Sequence, residues 1–159
     1  MIFVTLGTQA KDFSRLMKMV EELASAYNIK DIVAQVGYTT YKPENVKCLS
    51  FISAEQYEDY MSNADAIITH AGTGAIFSAL KKGKKVIAVA RLKEFGEMVN
   101  NHQTEIVHKL ATEGYILDGT YSLREAWKEL DNFTPKECDF KCTLPQEIGK
   151  QIDYWLGQS

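Results

Sequence analysis

Apolar positions along the chain follow two alternating patterns. Short continuous runs at 2–5, 32–36, 46–52, 66–69 and 86–90 have the length of strands buried on both faces. Between them, apolar residues recur at helical spacing. Phe13, Leu16, Met17, Val20, Leu23, Ala24 and Tyr27 make one face of a helix that Asp12 would cap. Ser53 and Gln56 form a capping box before Tyr57, Tyr60, Met61 and Ala64. Ile76, Phe77 and Leu80 turn inward on a helix that Gly83 stops. Ile106, Val107, Leu110 and Ala111 do the same before Gly114, and a short strand follows at 115–117. Ser122 and Glu125 open a helix with Leu123, Ala126, Trp127 and Leu130. Thr143, Pro145 and Gln146 begin a C-terminal helix, 145–157, carrying Ile148, Ile152, Trp155 and Leu156.

This alternation predicts an α/β fold: a Rossmann-like parallel sheet with helices on both faces. The 159 residues fit one domain of that kind. Apolar residues at 45% and charged residues at 25% exclude a disordered chain. With 18 basic against 21 acidic side chains, a role tracking nucleic-acid phosphates is disfavoured. No apolar run approaches the roughly 20 residues of a membrane span. The N-terminal apolar run lacks a basic lead and reads as a strand opening rather than a signal peptide. Cys48, Cys138 and Cys142 are read as reduced thiols of a cytoplasmic protein. The last two lack a second ligand pair for a metal, so no metal site is expected.

Open parallel sheets bind ligands beyond the carboxyl ends of their strands. Three loops fall there: Gly7, Thr8 and Gln9; the run from His70 through Ala71, Gly72 and Thr73 to Gly74; and 91–101. Gly72 and Gly74 allow close backbone approach, Thr73 adds a hydroxyl, and the following helix aims free amides at the crevice. That suits a diphosphate, and it equally describes a tight turn that needs small residues. The run is neither a dinucleotide fingerprint nor a P-loop. His70 is either a ligand contact or a turn histidine. Asn100, Asn101, His102 and Gln103 either read a hydroxyl-rich ligand or cap the helix they precede. Arg91 either meets a phosphate or pairs with Glu94 or Glu97.

Gly7-Thr8-Gln9, Gln35-Val36-Gly37, His70-Ala71-Gly72-Thr73-Gly74 and Asn101-His102-Gln103-x-Glu105 occur in this order. The series resembles the small glycosyltransferase subunits of the Alg13 and PssE/EpsE type. These are similar to the C-terminal, donor-binding half of the MurG-like (GT28) enzymes. The stretch Arg91 to Glu97 is similar to the branch that builds bacterial polysaccharides, such as exopolysaccharide or capsule. The resemblance implies one half of a GT-B fold that binds a UDP-sugar (GlcNAc, galactose or similar) for inverting transfer to a lipid-linked saccharide. It implies Gly7, Thr8, Gln9, His70, Gly72, Thr73, Gly74, Arg91, His102 and Gln103 as donor-binding residues, with no cofactor and no metal. It implies an Alg14/PssD-like membrane-associated partner that carries the acceptor site and the catalytic base. The chain would thereby lie at the inner face of the membrane, and 145–157 would dock on the partner. Ser78 stands where some relatives carry a ribose-binding glutamate. The alternative is a non-catalytic subunit that enhances or stabilises a partner transferase.

Overall fold

The computed structural model describes residues 1–7, 9–98 and 100–136. Thr8, Cys138, Cys142 and the predicted helix 145–157 lie outside the described residues. The order is β1 (Ile2–Thr5), α1 (Ser14–Tyr27), β2 (Ile32–Gln35), β3 (Lys47–Leu49), α2 (Ala54–Asn63), β4 (Ala66–His70), α3 (Thr73–Lys81), β5 (Lys85–Val89), α4 (His102–Thr112), β6 (Leu117–Asp118) and α5 (Leu123–Glu129). The six strands run parallel in the order β3-β2-β1-β4-β5-β6. Connections therefore wind outward in opposite directions from β1 and β4.

Alternate strand residues feed two cores. Ile2, Val4, Ile68, Ile87 and Val89 pack with α1 and α5. Phe3, Ile67, Val86 and Ala88 pack with α2, α3 and α4 on the other face. Both faces are thus covered, which is why the strands are apolar throughout rather than alternating. The predicted face of α1 is buried from Phe13 to Ala24, whereas Tyr27 is exposed at the helix end and leans on Trp127. Tyr57 and Tyr60 both pack on Phe3, edge-on at 5.6 Å and stacked at 5.5 Å.

Five predicted strands shift their bounds: β2 stops one residue early, at Gln35, and β5 runs one residue earlier, over Lys85–Val89. The third strand is shorter than 46–52, because β3 pairs on one side only and residues 50–52 leave it to form a rim. β4 gains His70, which pairs with Val89. β6 starts two residues late, since Tyr115 and Ile116 are pulled into the core beside α4. Asp12 does not take the predicted cap position but stands one residue before it, accepting the Ser14 N–H at 3.1 Å. The formal cap position is Phe13, and Asp12 also takes the Thr40 N–H at 2.8 Å.

The charged loop after β5 is anchored from across the sheet. Arg15 on α1 donates through Nε to Glu97 Oε2 at 3.1 Å. Its Nη1 donates to the Thr120 carbonyl at 2.7 Å and its Nη2 to the Ala90 carbonyl at 2.8 Å. Glu97, which is buried, also accepts the Leu92 N–H at 3.0 Å. Removing one partner of such a cluster strands the other groups without hydrogen bonds. Glu97→Ala should therefore cost on the order of 2–4 kcal/mol in denaturant unfolding, and Glu97→Gln, which keeps an acceptor, clearly less. Equal losses in the two variants would show that the carboxylate contacts do not hold the loop.

Candidate functional site

Where β1 and β4 lie side by side, the loops leaving their carboxyl ends diverge and open a crevice. Its volume is about 580 Å³, within the range of small-molecule sites. Thr5, Gln35 and His70 form the floor. Gly7, Gly72 and Gly74 form one side, and Phe51, Ile52 and Tyr57 the apolar other side. Thr5 donates to Gln35 Oε1 at 2.9 Å. The Gln35 amide then donates to the carbonyls of Gly7 and Ser50, each at 3.1 Å. One buried glutamine thereby fixes the β1 loop against the rim.

His70 is wedged beneath two loops. A Cβ placed on Gly7 would lie 2.6 Å from its Nε2, and one on Gly72 only 2.3 Å away. Gly7 also holds a left-handed φ of 77°. Close ligand approach was the expected reason for Gly72. The imidazole already demands that glycine, and Gly7 with it, from inside. Nδ1 lies 3.3 Å from both the Thr5 carbonyl and the Thr69 hydroxyl. Burial, with Arg91 as a second cause, pushes the His70 pKa down to about 4, so the ring is neutral at pH 7. Gly74 differs: no atom lies within 4 Å of where its Cβ would stand. Its missing side chain leaves open crevice.

α3 has no side-chain cap, and its first turn-closing bond runs from the Ile76 N–H to the Gly72 carbonyl. Gly74 and Ala75 of its first turn line the crevice, and a helix start leaves its first N–H groups without intrahelical partners. The second helix start at the crevice is that of α2, whose own capping box occupies it: the Ser53 N–H donates to Gln56 Oε1 at 3.0 Å and the Gln56 N–H to Ser53 Oγ at 3.1 Å. No residue of α1 lines the crevice.

Of the ten residues expected to bind, Gly7, Gln9, His70, Gly72 and Gly74 line this crevice. Thr73 opens α3 between two of them. Thr8 lies outside the described residues. Arg91, His102 and Gln103 do not line it. Arg91 is buried, with its guanidinium 4.9 Å over the Phe13 ring. It pairs with neither Glu94 nor Glu97; Nη1 donates to Gln9 Oε1 at 2.7 Å. The predicted helix cap, Asn100 or Asn101 with Gln103 closing a box, takes another form: Asn101 holds the cap position without a side-chain capping bond. Asn101 Oδ1 accepts the Lys93 N–H at 2.9 Å, and Gln103 Oε1 accepts the Arg91 N–H at 3.1 Å. Asn100 Oδ1 takes the His102 N–H at 3.1 Å. Sequence reasoning missed the rim from Phe51 to Tyr57. An apolar Phe-Ile pair between a strand and a capping box was its available signal. Glu58, the one carboxylate along this wall, is ion-paired with Lys82 at 2.9 Å.

The lowered His70 pKa has a consequence for stability. The unfolded chain binds this proton near the ordinary pKa of 6.5, the folded chain only near 4. The contribution is therefore complete above about pH 6.5 and lost as pH falls toward 4, amounting to roughly 3 kcal/mol at most. A His70→Asn variant should flatten the stability-versus-pH curve across that window. An unchanged acid slope in the variant would show that His70 does not set it.

The comparisons with known proteins agree with this architecture. An NMR structure of ALG13 aligns at a TM-score of 0.60 with 20% identity, covering 86% of this chain and 87% of that one. The glycosyltransferase SnogD from Streptomyces nogalater aligns at 0.52 with 21% identity, over 82% of this chain and 34% of its own. Both likenesses establish the fold, a Rossmann-like parallel sheet of the kind that forms one half of a GT-B fold. In sequence, the UDP-N-acetylglucosamine transferase subunit ALG13 of Homo sapiens is 32% identical over 98% of this chain, which spans only 14% of that protein. The model of the glycosyltransferase family 28 C-terminal domain matches residues 1–139, in agreement with the sheet order. The chain belongs to the glycosyltransferase family 28 C-terminal domain family.

Proposed function

We propose that this chain is the donor-binding half of an inverting glycosyltransferase and holds a UDP-sugar in the crevice between β1 and β4. The observation that carries the reading is the uncapped start of α3, opening through Gly74 onto a cavity floored by backbone and neutral side chains. Such a helix start attracts a diphosphate through free amides and its partial positive charge. The wall of Phe51, Ile52 and Tyr57 suits the flat face of a base. The relatives named UDP-N-acetylglucosamine transferase subunits support a UDP-sugar donor and an assembly of more than one chain.

In the reaction, the bond from the anomeric carbon to the diphosphate oxygen breaks as an acceptor hydroxyl attacks from the opposite face. Amides at the start of α3 stabilise the charge gathering on the leaving diphosphate. A base must take the acceptor proton. His70 is neutral but lodged under Gly7 and Gly72, and Glu58 is tied to Lys82. By the resemblance to the Alg13 and PssE/EpsE subunits, the base and the acceptor site would belong to a partner protein of the Alg14/PssD type, membrane-associated and holding a lipid-linked saccharide in polysaccharide assembly. This chain would reach the membrane through it; among the described residues, no helix is long and apolar enough to cross one.

UDP should bind the isolated chain, and Gly74→Val should abolish that binding with a loss of fold stability on the order of 1 kcal/mol or less. The new side chain enters open crevice rather than the core. Calorimetry showing equal UDP affinity in parent and variant would sink the assignment. Transferase activity should be negligible for the chain alone and appear when the acceptor half is added. A normal turnover rate without any partner contradicts the half-enzyme reading. A partner fully active without this chain favours the enhancer role instead.

A further inference from the structure

Arg91 is the largest fully buried side chain, at 1% exposure, and the described structure gives it no carboxylate partner within hydrogen-bonding distance. Glu97, the acid nearest in sequence on its loop apart from exposed Glu94, is committed to Arg15. What surrounds the guanidinium is the Phe13 ring, the Leu6 and Lys11 carbonyls at 3.4 Å each, and the Gln9 side chain at 2.7 Å. Its Nε has no partner. A buried cation held this way is costly, and a structural strap alone would be served as well by an uncharged side chain.

The geometry has a second consequence. A guanidinium has only donors, so the amide oxygen of Gln9 must face it. The Gln9 NH2 group is thereby turned away from Arg91, and Gln9 lines the crevice. The backbone N–H of Arg91 orients Gln103 in the same sense by donating to its Oε1. The influence of the charge also reaches the crevice floor, where Arg91 contributes to keeping His70 neutral. Glu97 and Asp12 are the acids that act back on Arg91.

Resting on the reading of this crevice as a donor site, we propose that Arg91 is a positioning residue for an anionic ligand: it touches no ligand, but aims the Gln9 NH2 at a diphosphate oxygen and supplies the counter-charge from behind the first loop. The ligand meets a neutral, polarised donor, and the cation stays sealed in the protein.

The full chain is titrated with UDP, pyrophosphate and uridine, in the parent and in Arg91→Met, Arg91→Lys and Gln9→Glu. Arg91→Met and Gln9→Glu should each lose roughly ten- to a hundredfold in affinity for UDP and pyrophosphate, the scale of one hydrogen bond to a charged group, with uridine unchanged. Arg91→Lys, which keeps the charge but not the fork, should recover part of the loss. Gln9→Glu gives Arg91 a carboxylate and should melt no lower than the parent, so its loss of affinity is not a loss of fold. Parent-like UDP affinity in Arg91→Met or Gln9→Glu overturns the proposal and leaves the donor site standing. An equal loss for uridine also overturns it, because that marks a merely structural residue. Pyrophosphate binding that depends on Arg91, with UDP no tighter than pyrophosphate, upholds the proposal and removes the nucleotide reading. A parent chain that binds neither anion ends both.

Discussion

The site depends on one steric constraint: an imidazole ring occupies the space between two loop backbones. With His70 in place, Gly7 and Gly72 cannot carry a Cβ, and the loops after β1 and β4 close over the ring. Gly37 follows from the same arrangement, since a Cβ there would stand 2.8 Å from the Gly7 carbonyl. That carbonyl is held from the other side by Gln35, which also holds Ser50. Four strand ends, those of β1, β2, β3 and β4, are thus locked together by short contacts rather than by bulk. The backbone that lines the crevice is fixed before any ligand arrives, the condition under which polar groups act without reorganising.

Much of this was legible in the sequence, for a physical reason. Strands buried on both faces must be apolar throughout, so 2–5 and 86–90 announced themselves, as did the capping box at Ser53 and Gln56, whose two bonds lie within one helical turn. The glycine loop at 70–74 was visible, but its cause was not. A missing Cβ signals close approach without saying what approaches, and for Gly72 the neighbour proved to be His70. The side chains at the start of α4 misled in a similar way. Asn100 and Gln103 have the spacing of a capping box, yet the oxygens of Gln103 and of neighbouring Asn101 reach back to the backbone of Arg91 and Lys93, because the preceding loop folds over the helix start. Contacts such as Arg91 to Gln9, 82 residues apart, leave no local pattern at all. The rim of Phe51 and Tyr57 was read as strand and core for want of any clue that β3 ends early.

The distribution of charge follows a consistent rule. Along the described walls, the ionisable side chains are a histidine kept neutral by burial, a tyrosine whose pKa burial raises and a glutamate ion-paired with Lys82. The strong cation, Arg91, stands one layer behind, and helix amides make up the remaining positive potential. A surface lysine in the crevice would grip a diphosphate with a mobile, hydrated charge and hold substrate and product alike. Fixed dipoles backed by a buried charge respond instead to how much charge the bound oxygens carry. On the proposed reading, that charge increases as the bond to the sugar breaks, so the arrangement favours the transition state over the intact donor. The costly feature of the fold, an arginine buried without a carboxylate, then has its explanation in the difference between those two states rather than in stability.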